Sequence, residues 1–319
     1  RAGPGVLVSY RSGGSRMDLL FDAGRSTVMR LMDAGSGPGN LDAVFLTHHH
    51  SDHLVGLDDV LLTRWVMDRE QDLAPLPVVA PDGPCIPFVE GLGDRWADDL
   101  EVRSAHSGRS SGPSVLTTAF AYPDVPTEVW RSGGVSVLAG QVRHEPVHPA
   151  VGYRIQTPDG VVVISGDTLV CDEVADLAVG ADVLVYEAMR FSEIRKVPEH
   201  RRFILDYHAD TVLIGAQAEA LGVTIALAEM GTTVYESAFY PQSRPDRRWC
   251  GPGCATPGSA WIDEVVVPFL QQEHGPVRGL FGLSTGGRGA VLVPQHHPEL
   301  GIHRVCAMSG TFDLFALQP

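Results

Sequence analysis

The sequence is poor in basic residues, with 24 Lys and Arg against 39 Asp and Glu among 319 residues, a formal net charge of −15. Proteins contact phosphates mainly through Lys and Arg, so this balance disfavours nucleic acid as a partner. No apolar stretch approaches the roughly 20 residues that cross a bilayer, and residues 1–14 lack the apolar core of a signal peptide. We therefore expect a soluble, cytoplasmic protein with no membrane partner, and the sequence leaves a homodimer open.

Cysteine is also scarce. The five cysteines are an odd number, and only Cys250 and Cys254 lie close together. This usage suits a reducing compartment better than a disulfide framework. A Cys-x3-Cys pair supplies only two of the four ligands of a structural zinc, so ordinary thiols in a loop are expected there.

Hydrophobic residues make up 44% of the chain, enough for the core of one large domain or two ordinary ones. From Val6 to about Met230, short apolar strands alternate with turns and a few helices, and Thr157–Gly160 predicts a hairpin turn. This mixture predicts an α/β sandwich. Towards the C-terminus, strands and helices alternate in the order typical of a parallel α/β sheet. The stretches Trp65–Leu76 and His106–Trp130 are interpreted as loops that line a binding pocket.

Three histidines and an aspartate follow the predicted strand Asp42–Leu46, spaced as His48-x-His50-x-Asp52-His53. A turn after a strand can bring such side chains together, whereas a helix would spread them around its circumference. Neutral imidazole suits zinc, and a carboxylate adds a harder ligand for a second divalent ion. The motif predicts a hydrolytic metal site.

Asp167 ends the buried strand "VVVISGD", at the place where sheet enzymes put ligands. Alternatively, it caps the turn before Thr168.

The sequence resembles the metallo-β-lactamase superfamily, specifically its ribonuclease Z-like and arylsulfatase-like branch, over about residues 2–228. Five segments carry the resemblance in the family's order: "LLFDAGRST", "VFLTHHHSDHLVGLDDVLLTRW", "RHEPVHPAVGYRI", "VVISGDT" and "YHADT". It implies an αββα sandwich and six metal ligands: His48, His50 and His144 on one ion, Asp52 and His53 on the other, and Asp167 between them. His144 is favoured over His148.

The resemblance implies two further roles. Asp22 would orient a ligand imidazole, and His208 would donate a proton to the leaving group, as in the family's His-x-x-Thr loop. The alternative for His208 is a neighbour of a helix N-terminus without chemistry.

The chain departs from the family in two places. It has no Gly-rich basic insertion like the arm of ribonuclease Z relatives that act on transfer RNA, which favours a small-molecule ester as substrate. The family also continues through a strand into Thr-His, whose histidine completes the second metal site. This chain reads "TIALAEMGTT" there, and no histidine lies between His208 and His274.

Gly282-Leu283-Ser284-Thr285-Gly286 lies between a predicted strand and helix, as in a serine hydrolase nucleophile elbow. From about residue 225 the tail resembles α/β-hydrolase esterases of the S-formylglutathione hydrolase and acetyl-esterase type. A serine needs a base that is oriented by an acid, in the order Ser, acid, His. No histidine follows Asp313, so the triad cannot be assembled in the family's way.

We therefore expect a metal hydrolase domain at residues 1–228 and a partial α/β-hydrolase βαβαβ segment at residues 229–319. A metal-bound hydroxide would attack a phosphodiester, sulfate ester, lactone or carboxylic ester, with one or two Zn²⁺ ions as cofactor, or Mn²⁺ or Fe. The expected catalytic residues are Asp52, His208 and Ser284. The alternatives are a serine esterase that uses Ser284 and a chimeric chain with weak or no catalysis.

Overall fold

The computed structural model describes residues 3–12, 14–109, 112–220, 267–274, 279–283 and 304–308. The chain divides into two compact units, Arg1–Leu221 and Gly222–Pro319. The expected domain boundary after residue 228 stays a prediction.

The first sheet of the larger unit has five strands in the order β1-β2-β3-β4-β5. Strands β1 and β2 are antiparallel, and the other neighbours are parallel. The strands are β1 (Val6–Ser12), β2 (Ser15–Phe21), β3 (Leu41–Phe45), β4 (Leu76–Pro81) and β5 (Val115–Phe120). Consecutive residues of β2, such as Leu19 and Leu20, are buried, because both faces of the sheet are covered.

The second sheet has the order β10-β9-β8-β7-β6 and is antiparallel except for the parallel pair β9 and β10. Its strands are β6 (Thr127–Ser132), β7 (Val135–Gln141), β8 (Val151–Thr157), β9 (Gly160–Ile164) and β10 (Val183–Val185). Thr157 pairs with Gly160, as the predicted hairpin requires.

Helices cover the outer face of each sheet. Leu31, Leu61 and Val89 of α1, α3 and α4 pack in one core with residues of the first sheet, and Leu177 of α7 packs on Val163 of the second. The α-helices of this unit are α1 (Thr27–Asp33), α2 (Ser51–Leu54), α3 (Leu57–Met67), α4 (Cys85–Glu90), α5 (Leu92–Arg95), α6 (Ala97–Ser107), α7 (Asp172–Ala178), α8 (Phe191–Ile194) and α9 (Thr211–Ala220). Short 3-10 helices span Pro38–Asn40 and Glu199–Asp206.

Aromatic side chains fill the space between the two sheets. The rings of Phe21 and Phe45 stack at 4.7 Å, and Tyr153 of the second sheet lies 5.5 Å from Phe45. The buried hydroxyl of Tyr153 donates a hydrogen bond to the carbonyl oxygen of Leu46 at 2.6 Å. The predicted α/β sandwich is confirmed, and this contact joins the two sheets just before the histidine motif.

The interpretation of residues 106–130 as a pocket loop is wrong, because β5 and part of β6 lie in this range. Both are outer strands of their sheets, and neither has a fully buried residue. A strand without fully buried residues does not need a continuous run of apolar residues. The sequence pattern therefore did not indicate these two strands.

In the smaller unit, the structure describes α10 (Val267–His274) and the parallel strands β11 (Gly279–Leu283) and β12 (Arg304–Met308). The α/β-hydrolase interpretation of this segment stays a prediction, and Ser284 lies outside the described residues. Within the described parts of both units, no helix has the length and apolar character of a membrane span.

Candidate metal centre

The expected ligands lie in loops that follow strands of both sheets. The loop after β3 carries His48 and His50, and the short helix α2 that follows this loop carries His53. The loop after β7 carries His144, and the loop after β9 carries Asp167. Because the sheets pack face to face, these loops meet at one edge of the sandwich. The local sequence therefore places polar groups directly after buried strands that hold their backbone in position.

Four of the expected ligands converge. His50 Nδ1 lies 3.0 Å from His48 Nε2 and 3.1 Å from His144 Nε2. These nitrogens and a carboxylate oxygen of Asp167 all lie within 4.8 Å of one another. His48 and His144 are buried, with 0% and 1% of their surface exposed.

Hydrogen bonds determine which ring nitrogens of His48 and His144 carry protons. Thr47 Oγ1 donates to Asp22, so the contact of 2.9 Å with His48 is a bond from His48 Nδ1 to Thr47 Oγ1. His144 Nδ1 donates to the carbonyl oxygen of Tyr207 at 2.9 Å. Both Nε2 atoms therefore carry a lone pair, as in metal-ligating histidines, and both lie close to His50 Nδ1.

Burial supports the same protonation states. It lowers the pKa of His48 to about 2 and lowers the pKa values of His50 and His144. Neutral imidazole is the form that binds a metal, and three imidazoles with one carboxylate suit a divalent cation such as zinc. The chemistry of this donor set fits one metal ion.

His53 lies between two carboxylates. Its Nδ1 donates to Asp22 at 2.7 Å, and its Nε2 lies 3.2 Å from Asp167. Burial opposes its charge, but Asp22 and Asp167 outweigh that effect and raise the pKa of His53 to about 11. In the absence of metal, His53 is therefore a cation that bridges the two acids.

The expected second metal site is less complete. The described residues contain two groups of side chains that could hold a metal ion: His48, His50, His144 and Asp167, and also Asp167, Glu187 and His208. Asp52 belongs to neither group. It lies in the first turn of α2, where its charge opposes the lowering of the pKa of His50. With no histidine between residues 208 and 274, the residues present do not fit a second ion as well as the first.

His208 pairs with Glu187, a residue that the sequence analysis missed. His208 Nδ1 lies 2.9 and 3.0 Å from the two carboxylate oxygens of Glu187, which also accepts a bond from the Thr168 amide. Burial opposes protonation of His208, but the bond to Glu187 outweighs it and raises the pKa of His208. One feature of the sequence could have indicated Glu187. It lies two residues after β10, and β10 is the parallel neighbour of β9, the strand that precedes Asp167.

Two glycines, Gly166 and Gly56, allow the loops that carry the expected ligands to lie close to neighbouring backbone. Gly166 has φ +63°, and a Cβ there would lie 3.0 Å from the carbonyl oxygen of Val151. A Cβ on Gly56 would lie 1.9 Å from the carbonyl oxygen of Gly24. The Gly56 amide also donates to Ala23 at 2.8 Å, which joins the end of the histidine motif to the Asp22 loop.

The remaining candidate, His148, lies apart from the cluster. Its ring is 4.5 Å from that of Tyr122, and it belongs to neither group of metal-ligating side chains among the described residues. The structure thus brings His144 rather than His148 to the other ligands.

Comparison with known proteins gives matches over this same region. The model of the Metallo-beta-lactamase superfamily matches residues 13–215. Ribonuclease Z of Mycobacterium bovis (strain BCG / Pasteur 1173P2) is 37% identical over 224 residues, which cover 70% of this chain and 77% of the relative. Ribonuclease Z of Mycolicibacterium gilvum (strain PYR-GCK) is 36% identical over 249 residues, 78% of this chain and 83% of the relative. The crystal structure of the short form of human tRNase Z matches at 20% identity and a TM-score of 0.47, covering 69% of this chain and 88% of that one.

These relatives correct the expected partners. The predictions of a small-molecule ester as substrate and of nucleic acid as a disfavoured partner are wrong, because the relatives are ribonucleases. The physical reason is that net charge sums over the whole chain, whereas phosphate contacts depend on charge at one surface.

Proposed function

The chain belongs to the metallo-beta-lactamase superfamily and is a hydrolase, and we propose that it is a metal-dependent ribonuclease of the ribonuclease Z type. Its substrate would be a transfer RNA precursor, in which it cuts a phosphodiester bond. The identity of 37% over 77% of a curated ribonuclease Z supports this substrate class.

One metal ion, zinc by the chemistry of the donor set, is held by His48, His50, His144 and Asp167 in this proposal. A bound divalent ion supplies Lewis acidity for water activation and stabilises charge on a phosphate. The hydrogen bonds of His48 to Thr47 and of His144 to Tyr207 keep the ligating nitrogens unprotonated. The convergence of these lone pairs is the observation that carries the proposal.

His208 is the proton donor to the leaving oxygen in this proposal. Its Nδ1 proton is held by Glu187, and within the described part of the chain its Nε2 has no hydrogen-bond partner. Its raised pKa, which the bond to Glu187 maintains against burial, favours the protonated form that a proton donor requires. The Nε2 proton is therefore available for transfer to the departing oxygen.

The test is cleavage of a transfer RNA precursor transcript, followed on a denaturing gel. We expect a chelator to abolish cleavage, zinc to restore it, and His50→Ala to remove both cleavage and bound metal. His106→Ala is the matched control, because His106 is exposed on α6 and belongs to neither group of metal-ligating side chains among the described residues. Ser284→Ala should retain cleavage. Metal-independent cleavage that is lost in Ser284→Ala would refute the proposal and favour the serine esterase alternative.

A further inference from the structure

A short segment reverses the charge balance of the chain. Residues 190–207 contain five Arg or Lys against three Asp or Glu, within a chain whose net charge is −15. The segment runs through α8 into the 3-10 helix Glu199–Asp206, directly before His208. Positive charge is thus concentrated next to the candidate catalytic residues.

The arginines of this segment are exposed and uncompensated. Arg195, Arg201 and Arg202 are exposed, and none of them pairs with a carboxylate among the described side chains. Arg202 instead donates from Nε to the carbonyl oxygen of Val197 at 2.8 Å. Other arginines in the described part of the chain do form ion pairs with Asp or Glu, among them Arg16, Arg30, Arg95, Arg103, Arg131 and Arg143.

Two aromatic rings connect this surface to the histidine cluster. Phe203 is 60% exposed, and its ring lies 6.3 Å from that of Tyr207 at an interplanar angle of 36°. The Tyr207 ring lies 4.7 Å from His208 and 5.2 Å from His144. A large apolar ring exposed to this extent, next to guanidinium groups that have no carboxylate partner among the described side chains, is typical of a surface that stacks nucleobases.

We propose that residues 190–207, the basic aromatic segment, bind the single-stranded part of the RNA substrate beside the scissile bond. Phe203 stacks on an unpaired base, and Arg201 and Arg202 contact backbone phosphates. The inference rests on the proposed function and extends it. It explains how a chain of net charge −15 without a basic arm binds RNA. A double-stranded contact fits less well, because paired bases do not expose their faces to an aromatic ring.

The test is steady-state cleavage of a transfer RNA precursor by the zinc-loaded, full-length protein. Phe203→Ala should raise KM about tenfold, which corresponds to the loss of one stacked base, and should affect kcat much less. Phe203→Trp should restore KM, since tryptophan also stacks. The double variant R201A/R202A should flatten the salt dependence of kcat/KM by about one to two in logarithmic slope, because two phosphate contacts are removed.

The matched control is R103A/R131A, which removes two exposed arginines that are held in surface ion pairs. It should retain the wild-type KM and salt slope, and thermal unfolding should show that all variants are folded. If wild-type protein cleaves the precursor but the segment variants keep its KM and salt slope, the inference is overturned and the proposed function stands. If zinc-loaded wild-type protein does not cleave the precursor, the proposed function is overturned, and the inference with it.

Discussion

Asp22→Asn should weaken both the fold and the metal centre. The Asp22 carboxylate accepts hydrogen bonds from the Thr47 amide at 2.8 Å, the Thr47 hydroxyl at 2.8 Å and His53 Nδ1 at 2.7 Å. Its backbone has φ +59°, a conformation that asparagine also tolerates. The substitution therefore keeps the shape of the side chain and the backbone conformation, and it changes only the charge and the hydrogen bonding of residue 22.

The magnitude follows from these three bonds. An amide has one acceptor oxygen, so its NH2 group must face at least one of the three donors. The charged bond to His53 is worth about 1.5–3 kcal/mol, and a buried donor without a partner costs a further 1–3 kcal/mol, roughly. We expect the free energy of unfolding of the metal-free protein to fall by about 3–5 kcal/mol. Because Thr47 also holds the His48 ring, zinc affinity should fall about 10- to 100-fold.

Urea unfolding in the presence of a chelator measures the first effect, and zinc competition with a chromophoric chelator measures the second. Asp33→Asn is the matched control, since Asp33 forms a surface ion pair with Arg30. It should cost less than about 1 kcal/mol and leave zinc affinity unchanged. Wild-type stability and zinc affinity in Asp22→Asn would refute the reasoning.

Three further predictions concern the proton donor, the loop approach and pH. Glu187→Gln should lower kcat about tenfold or more. It should also move the alkaline loss of activity to lower pH, because Glu187 no longer raises the pKa of His208. A pH–rate profile with an unchanged alkaline limb would contradict this. Gly56→Ala should lower Tm by several degrees or prevent folding, because its Cβ would lie 1.9 Å from the Gly24 oxygen, whereas Gly93→Ala has open space and should be tolerated. The pKa of His53 is raised to about 11, so its stabilisation of the metal-free protein is fully present below its unfolded value near 6.5 and is lost as pH rises towards 11. The stability advantage of wild type over His53→Gln in chelator should therefore shrink between about pH 6 and pH 9.5, and a constant difference would count against the Asp22–His53–Asp167 arrangement.

The sequence predicted those parts of the site that depend on local patterns. His48 and His50 follow one buried strand within a short motif, so their approach requires only a turn. His144 lies 94 residues from His50, and it was assigned by resemblance. Glu187 was missed because a single acid after the three-residue strand β10 carries no pattern of its own.

The partner prediction failed for a different physical reason. A net charge of −15 describes the average of the chain, but the arginines near His208 are concentrated on one segment and have no acidic partners among the described side chains. Whether a surface binds RNA depends on this local arrangement. The net charge of the whole chain gives no information about this local arrangement of arginines.

The central claim is that the cluster around His50 holds the metal with which this chain cleaves RNA. The most direct measurement is the initial rate of precursor cleavage as zinc is added to the metal-free protein, with bound zinc determined in parallel. The account predicts a rate that rises with bound zinc, saturates near one ion per chain and is absent in His144→Ala. Cleavage that does not depend on zinc, or zinc-loaded protein that leaves the precursor intact, would contradict it.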